Sequence, residues 1–235
     1  MVSVLYSKRI DQMKQLVTTL LALPLLVNCG TAPSETSNSA EAKAKENTAE
    51  GKTTNSAFAD GQYLINQELS TCNWVGTEIT TKTHTGTLDI YKGSVQVVDN
   101  RVSSGFIAMD MASLNVTDLS GGAKENLEGH LKSEDFFGVD KHPFAELKLE
   151  SIKTKDGQSF AGGILSIRGI NHPIAFPVKV SQDGNQLTFD GDMTFDRSKY
   201  NVKFRSGAFP DLFPDLGDKL INDDISLSFH IIAES

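Results

Sequence analysis

Residues 130–145, HLKSEDFFGVDKHPFA, are the part of the sequence that decides the fold. Three phenylalanines, Phe136, Phe137 and Phe144, are interleaved there with acidic and basic side chains. This pattern is typical of neither a regular amphipathic helix nor an alternating strand. We expect the three rings to face an apolar interior or its rim.

The residues on either side of these rings predict a change from helix to strand. Leu127 and Leu131 lie one helical turn apart, as on one face of a helix. Gly138 can end a helical turn, and Pro143 disfavours helical backbone at the residue before it. We therefore expect one helical excursion near residues 114–137, followed by a strand.

Strict alternation of apolar and polar residues predicts strands in the rest of the domain. Residues 145–150, AELKLE, place three apolar side chains on one face and three charged ones on the other. Residues 225–231, ISLSFHI, follow the same rule. The spacing recurs in two pairs, Leu187 with Phe189 and Met193 with Phe195.

Turn-forming residues separate these segments, at positions 99–100, 156–157, 183–185 and 206–207. Asp, Asn and Gly tolerate positive backbone angles, so each position predicts a hairpin. About eight strands and one helical excursion predict a mainly all-β fold, an up-and-down antiparallel barrel. A two-sheet β-sandwich is the alternative.

The N-terminal region has the features of a bacterial export signal. An apolar run at residues 16–27 follows Lys14 and is too short to span a membrane comfortably. Cys29 then resembles the acylated cysteine of a lipobox, although Asn28 departs from the usual small residue. We expect residues 1–28 to be a signal peptide, with Met13 as an alternative start. A plain secretory signal that leaves Cys29 without lipid is the alternative.

Residues 29–57 are predicted to be the lipidated cysteine and a flexible linker, because no large apolar residue occurs from 31 to 57. The folded domain is expected at 58–235. Several acyl chains on Cys29 would anchor the protein to a membrane. We therefore expect a lipoprotein of the bacterial cell envelope, on the periplasmic side or at the cell surface.

Charge and titratable residues argue against several functions. The formal charge of −8 disfavours nucleic acid as a partner. No two of the five histidines have the spacing of a local metal-ligand pair. We read the acidic residues from 211 to 224 as a solvated loop. No catalytic motif occurs, so we expect no enzyme activity, no metal and no cofactor.

Three single residues carry separate expectations. Cys72 lacks a partner if Cys29 is lipidated, and we expect it to be a small buried apolar side chain. Asp110 and Arg197 are charges in apolar, strand-like surroundings, so burial would require partners. We interpret both as structural charges or as charges at the mouth of the barrel.

Several short motifs occur in a fixed order along residues 58–235. They are Trp74-Val75-Gly76, His84-Thr85-Gly86, Gly105-Phe106 with Asp110-Met111, the segment 130–145, residues 165–170 (LSIRGI), and Asp196-Arg197 with Tyr200. In this order they resemble the YceI-like polyisoprenoid-binding family, over about three quarters of the chain. The resemblance implies a lipocalin-like antiparallel barrel around an elongated apolar cavity that holds an isoprenoid chain.

Candidate ligand-binding residues lie on apolar faces of the predicted strands or in the phenylalanine-rich segment. They are Trp74, Phe106, Phe136, Phe137, Phe144, Leu165, Ile167, Phe176, Phe195 and Phe204. Thirteen phenylalanines against one tryptophan and four tyrosines suit a hydrocarbon ligand, and they suit a filled core equally well.

These observations predict that the protein binds, stores or carries an isoprenoid lipid, of the quinone or polyprenyl type. The expected partners are that lipid, the membrane through the N-terminal anchor, and a second barrel in a homodimer. The main alternative is a membrane-tethered interaction module whose barrel is filled by its own side chains. An enzyme that acts on a lipid is a third hypothesis.

Overall fold

The computed structural model describes residues 58–80 and 82–235. The expected signal peptide, lipidated cysteine and linker lie outside these residues. The described residues form nine strands, one α-helix and two short 3₁₀ helices. The strands are β1 (Gly61–Ile65), β2 (Thr71–Thr77), β3 (Thr83–Val98), β4 (Arg101–Val116), β5 (Phe144–Lys155), β6 (Gln158–Ile167), β7 (Ile170–Asp183), β8 (Gln186–Asp196) and β9 (Asp224–Glu234). The helix α1 spans Gly121–Lys132, and the 3₁₀ helices span Arg197–Tyr200 and Gly217–Lys219.

The strands close into one antiparallel barrel. Each strand from β4 to β8 pairs with the next along the chain, and β3 pairs with β4 to close the sheet. The short strands β1 and β2 follow one another between β3 and β9, so together they fill a single position. The barrel therefore has eight positions and pairs its own edges. The predicted barrel is confirmed, and the β-sandwich alternative is wrong.

Alternation along the strands directs the apolar side chains inward. In β5, Ala145, Leu147 and Leu149 are buried or half-buried, while Glu146 and Lys148 between them are exposed. The predicted inward positions of β8 and β9 follow the same rule. The inward-facing positions of these strands could be predicted from the sequence because each strand has one face exposed to solvent.

Three of the four predicted turns are hairpins. The turns at 99–100, 156–157 and 183–185 join β3 to β4, β5 to β6 and β7 to β8. Each contains at least one residue with positive φ, as two-residue hairpins require. These hairpins all lie at the same end of the barrel.

The prediction for positions 206–207 is wrong, because they lie within a long segment between the first 3₁₀ helix and β9. A hairpin that the turn analysis missed joins β6 to β7 at Arg168 and Gly169, whose φ angles are 53° and 73°. Arginine rarely occupies the left-handed region, so this turn has only its glycine as a signal.

The helical excursion is shorter than predicted. Strand β4 continues to Val116, which pairs with Gly86 of β3, so residues 114–116 are not helical. The helix ends at Lys132, and the backbone then turns through residues 133–143 before β5 begins. Gly138 therefore does not end the helix as predicted; its φ of 56° belongs to the turn that follows, where its N–H donates to the Ser133 carbonyl.

The two ends of the barrel differ. Tyr63, Val97, Val102 and Leu187 are at most 5% exposed and fill the end that carries the three hairpins. Two segments, the helix segment (residues 121–143) and the cover loop (residues 201–223), lie at the opposite end, here called the covered end. Within residues 58–80 and 82–235, no helix has the length and apolar character needed to cross a membrane.

Candidate functional site

An apolar cavity of about 370 Å³ occupies the interior of the barrel. Strands β2 to β9, the helix segment and the cover loop all contribute to its wall. This volume lies within the range of roughly 300–1,000 Å³ that is usual for small-molecule sites. The inward side chains therefore leave space between opposite walls.

Nine of the ten candidate ligand-binding residues contribute to this wall. They are Trp74, Phe106, Phe136, Phe137, Leu165, Ile167, Phe176, Phe195 and Phe204. Their contact with a ligand stays a prediction. Met109, Met111, Leu147 and Leu149 also contribute, and we missed them as candidates although their alternation in β4 and β5 was a usable signal.

Phe144 does not line the cavity, contrary to our expectation. It is 37% exposed, and its ring lies 4.5 Å from that of Tyr91 on the outer face, measured between centroids. It pairs with Asp110, whose half-buried carboxylate accepts a hydrogen bond of 2.9 Å from the Ala112 N–H. The alternation that turns Ala145 inward turns Phe144 outward.

Phe106 contributes to the wall in a different way from the other candidates. It lies opposite Ser94 and Lys148 in the sheet, and the Lys148 side chain is exposed. Alternation therefore directs the Phe106 side chain outward, which leaves its backbone for the wall. The inward neighbours are Gly105 and Ile107, which pair with Leu149 and Leu147.

Trp74 is held against its neighbouring strand by a glycine. It pairs with Gly86 of β3, and a Cβ atom at that glycine would lie 2.3 Å from the Trp74 ring. Only glycine leaves room for the indole to lie flat on the strand. The Trp74 Nε1–H donates a 3.3 Å hydrogen bond to the Thr87 carbonyl. This packing explains why a glycine lies opposite Trp74 in the sheet.

Aromatic rings join the helix segment to the cover loop. The ring of Phe204 in the cover loop lies 4.5 Å from His130 and 5.5 Å from Phe136, between centroids. His130 and Phe136 meet edge to face at 5.0 Å. We call these three residues the aromatic seam. All three line the cavity, so the seam closes part of the covered end.

A buried arginine holds both ends of the cover loop. Arg197 is fully buried; its Nη1 donates to Val202 O (2.9 Å), Nη2 to Ile221 O (3.1 Å) and Nε to Asn222 O (3.1 Å). Its Nη2 lies 3.2 Å from Asp223 Oδ1, an ion pair without hydrogen-bond geometry. Burial lowers the pKa of Arg197, and the nearby carboxylates oppose that shift. Arg197 is therefore a structural charge at the cavity.

A second arginine holds the helix segment. Arg168, from the β6–β7 hairpin, donates through Nη1 to the carbonyls of Glu134 (3.0 Å) and Phe136. Its Nη2 lies 3.6 Å from the Glu134 carboxylate. The backbone on either side of Asp135 is thereby attached to the barrel wall. The two segments at the covered end thus each depend on one arginine from the barrel.

Two histidines that line the cavity have carboxylate partners. His84 Nδ1 lies 2.8 Å from the Asp118 carboxylate, and His130 Nε2 lies 3.3 Å from that of Asp135. Within the described part of the chain, no group of three or more His, Cys, Asp or Glu side chains is arranged to hold a metal ion. The acidic residues of the cover loop are mostly exposed, but Asp223, which pairs with Arg197, departs from the expected solvated loop.

Cys72 lies in the cavity wall on β2. It is 6% exposed, and burial raises the pKa of its thiol to about 11. The expected small buried side chain is confirmed. Reactive thiols have lowered pKa values, so this environment favours an inert cysteine.

We expect Cys72 to resist alkylation in a Cys29→Ser chain, where it is the only cysteine. At pH 8 the native thiol should react with iodoacetamide about a hundredfold more slowly than the same thiol in urea, because so little thiolate is present. The raised pKa also stabilises the fold at neutral pH, and this contribution is lost as the pH rises toward 11. Native labelling at the unfolded rate would contradict this description of the wall.

Comparison with known proteins agrees with this architecture. Residues 63–233 match the family described as the YceI-like domain. A comparison with curated proteins found no significant match.

Two solved structures share the fold. BcnA from Burkholderia cenocepacia is 22% identical with a TM-score of 0.57, over 72% of this chain and 98% of that chain. A polyisoprenoid binding domain from Saccharophagus degradans, implicated in plant cell wall breakdown, is 13% identical with a TM-score of 0.55, over 74% and 98%. The family match spans nearly the whole barrel, and the chain therefore belongs to the YceI-like domain family.

Proposed function

We propose that this protein binds an isoprenoid lipid, of the quinone or polyprenyl type, inside its barrel and holds or carries it without changing it chemically. The observation that carries the proposal is the apolar cavity of about 370 Å³. Membership of the YceI-like family supports it, as does the structural similarity to a domain described as polyisoprenoid binding. The open interior favours this function over that of an interaction module with a filled barrel.

Burial of hydrocarbon supplies the affinity in this proposal. A polyprenyl tail offers no charge, so binding depends on removing its carbons from water, at roughly 0.8 kcal/mol each. Fifteen buried carbons would contribute on the order of 12 kcal/mol. The loss of translational and rotational freedom opposes this by about 4–15 kcal/mol. A long ligand and a long apolar wall are therefore needed, and strands β2 to β9 provide such a wall.

Lipid extraction tests the proposal directly. The full chain carrying Cys29→Ser, purified without detergent, should release an isoprenoid on organic extraction, identified by mass spectrometry. Phe189 and Ile231 lie deep in the cavity, and replacing either with aspartate should reduce the recovered lipid by at least tenfold. Repeated recovery of an empty wild-type protein would count against lipid binding.

The envelope location is part of the same proposal. If Cys29 carries the lipid anchor, the wild-type chain should fractionate with membranes and the Cys29→Ser chain should not, because several buried acyl chains hold a protein almost permanently. Membrane association of both forms would contradict the anchor. Sedimentation of the Cys29→Ser chain measures whether two barrels pair, as we also propose.

A further inference from the structure

We propose that exposed apolar residues at the covered end form a docking surface for a lipid bilayer whose head groups carry no net charge. We call this surface the docking tip: Ile79 together with residues 207–220 of the cover loop. The inference rests on the proposed function, because docking serves to exchange the bound lipid with the membrane. It goes further by assigning the surface through which that exchange takes place and the kind of membrane that fits it.

Apolar side chains reach solvent throughout the docking tip. Ile79 is 59% exposed and Leu212 is 58% exposed. Four more apolar side chains of the tip are half-buried: Phe209, Phe213, Leu216 and Leu220. None of these six residues contributes to the cavity wall. Their exposed surface therefore has no role in holding a ligand inside the barrel, and exposed apolar surface of this kind marks an interaction site.

The docking tip has a fixed place beside the cavity. The Ile79 N–H donates a 2.9 Å hydrogen bond to the Leu220 carbonyl, which joins the two parts of the tip. The ring of Phe213 lies 5.7 Å from that of Phe204, between centroids. Phe204 belongs to the aromatic seam and lines the cavity. The tip therefore lies directly outside the side chains that close part of the covered end.

A lipid that enters or leaves the cavity has to pass through this end. The hairpin end is filled by side chains that are at most 5% exposed, Tyr63, Val97, Val102 and Leu187. Carrying a hydrocarbon tail through water is unfavourable in proportion to the apolar surface exposed on the way. A bilayer in contact with the docking tip shortens that path, because the membrane then adjoins the covered end.

The charges of the docking tip select the type of membrane. Residues 207–220 contain three aspartates and one lysine, a net charge of 1 − 3 = −2. All four charged side chains are exposed: Asp211, Asp215, Asp218 and Lys219. Anionic head groups repel such a surface at low salt, and this repulsion is screened as salt is added. Burial of the apolar side chains provides the attraction, so a zwitterionic bilayer is the better partner.

The predicted tether is long enough for the covered end to reach the anchoring membrane. The described chain begins at the hairpin end, where the Phe58 carbonyl accepts a 2.8 Å hydrogen bond from the Asn100 side chain. Strand β3 has 16 residues, so the tilted barrel is about 40 Å long. The 28 residues from 30 to 57 can span at most about 95 Å. Either end of the barrel can therefore face the membrane that holds Cys29.

Docking through the tip alone is weak and reversible. The exposed parts of Ile79 and Leu212 contain fewer carbons than a myristoyl chain, which by itself gives only marginal membrane binding. A short tether supplies an effective concentration in the millimolar range, which compensates for this weakness in the anchored protein. The Cys29→Ser chain should therefore dock only at millimolar lipid and leave the membrane when fractionation dilutes it.

The test follows an environment-sensitive dye, NBD, at position 212 of the full chain carrying Cys29→Ser and Leu212→Cys. The dye reacts there selectively because Cys72 is buried. Millimolar phosphatidylcholine vesicles should raise the NBD emission several-fold and shift it to shorter wavelength. Vesicles with an equal share of phosphatidylglycerol should bind a few fold more weakly at low salt. Adding Ile79→Asp should weaken binding to phosphatidylcholine by at least tenfold.

The matched control is Leu64→Asp. Leu64 is 61% exposed on β1, toward the hairpin end, so this variant introduces the same charge at a similarly exposed residue and should leave vesicle binding unchanged. Urea unfolding checks that both aspartate variants are folded. If vesicles leave the NBD emission unaltered, or if the two aspartates weaken binding equally, the docking surface is wrong while lipid binding stands. If lipid extraction returns an empty barrel, the proposed function fails, and the exchange step fails with it.

Discussion

Replacing Arg197 with alanine should lower the free energy of unfolding by about 3–5 kcal/mol, the range seen when one partner of a buried ion pair is removed. The alanine leaves Asp223 without its cation and leaves the carbonyls of Val202, Ile221 and Asn222 without donors. Because these groups lie at the two ends of the cover loop, the loop should detach from the barrel. Urea unfolding of the full chain, followed by Trp74 fluorescence, measures the loss.

Two further variants separate charge from geometry at this position. Arg197→Lys keeps the positive charge but cannot reach three carbonyls at once, so we expect an intermediate loss of stability. Arg101→Ala removes an exposed arginine and should change the stability by less than about 0.5 kcal/mol. An Arg197→Ala protein as stable as the parent chain would show that the guanidinium does not hold the cover loop.

Filling the cavity should abolish most ligand binding while the barrel stays folded. Ala161 of β6 faces the cavity and is 2% exposed. A phenylalanine there would occupy space equivalent to about four ligand carbons, or roughly 3 kcal/mol of lost burial, which is about a hundredfold in affinity. The ligand-free variant should unfold at the same temperature as the parent chain or higher, because the ring fills empty apolar space.

Ala175 supplies the matched control for this experiment. It lies on the adjacent strand β7, pairs with Gly162 and is exposed on the outer face. Ala175→Phe adds the same ring on the other side of the sheet and should leave the affinity within twofold of the parent value. Equal affinities for Ala161→Phe and Ala175→Phe would show that the ligand does not occupy the barrel interior.

Much of the barrel could be predicted because each strand has one face exposed to solvent, so apolar and polar residues alternate along it. The alternation from Ala145 to Leu149 gave the inward phase of β5 directly, and the same phase excludes Phe144 from the cavity. The placement of Phe144 was wrong because its membership of an aromatic cluster was weighed above the period of the strand. For Phe106, the outward direction follows from its pairing with Lys148, which only the sheet register shows.

The covered end could be predicted less well, since it depends on contacts between distant parts of the chain. The charge pattern indicated that Arg197 needs partners, but those partners lie up to 26 residues away in an irregular loop. The aromatic seam likewise joins His130 to Phe204 across the fold. The shared position of β1 and β2 depends on their pairing with β9 at the far end of the chain.

A crystal structure of the full Cys29→Ser chain, purified without detergent, tests the central claim most directly. We predict continuous elongated electron density between the opposite walls of the barrel, running from the aromatic seam toward Phe189 and Ile231. Side chains from opposite walls in van der Waals contact along the whole axis, with no space between them, would contradict a lipid-binding interior.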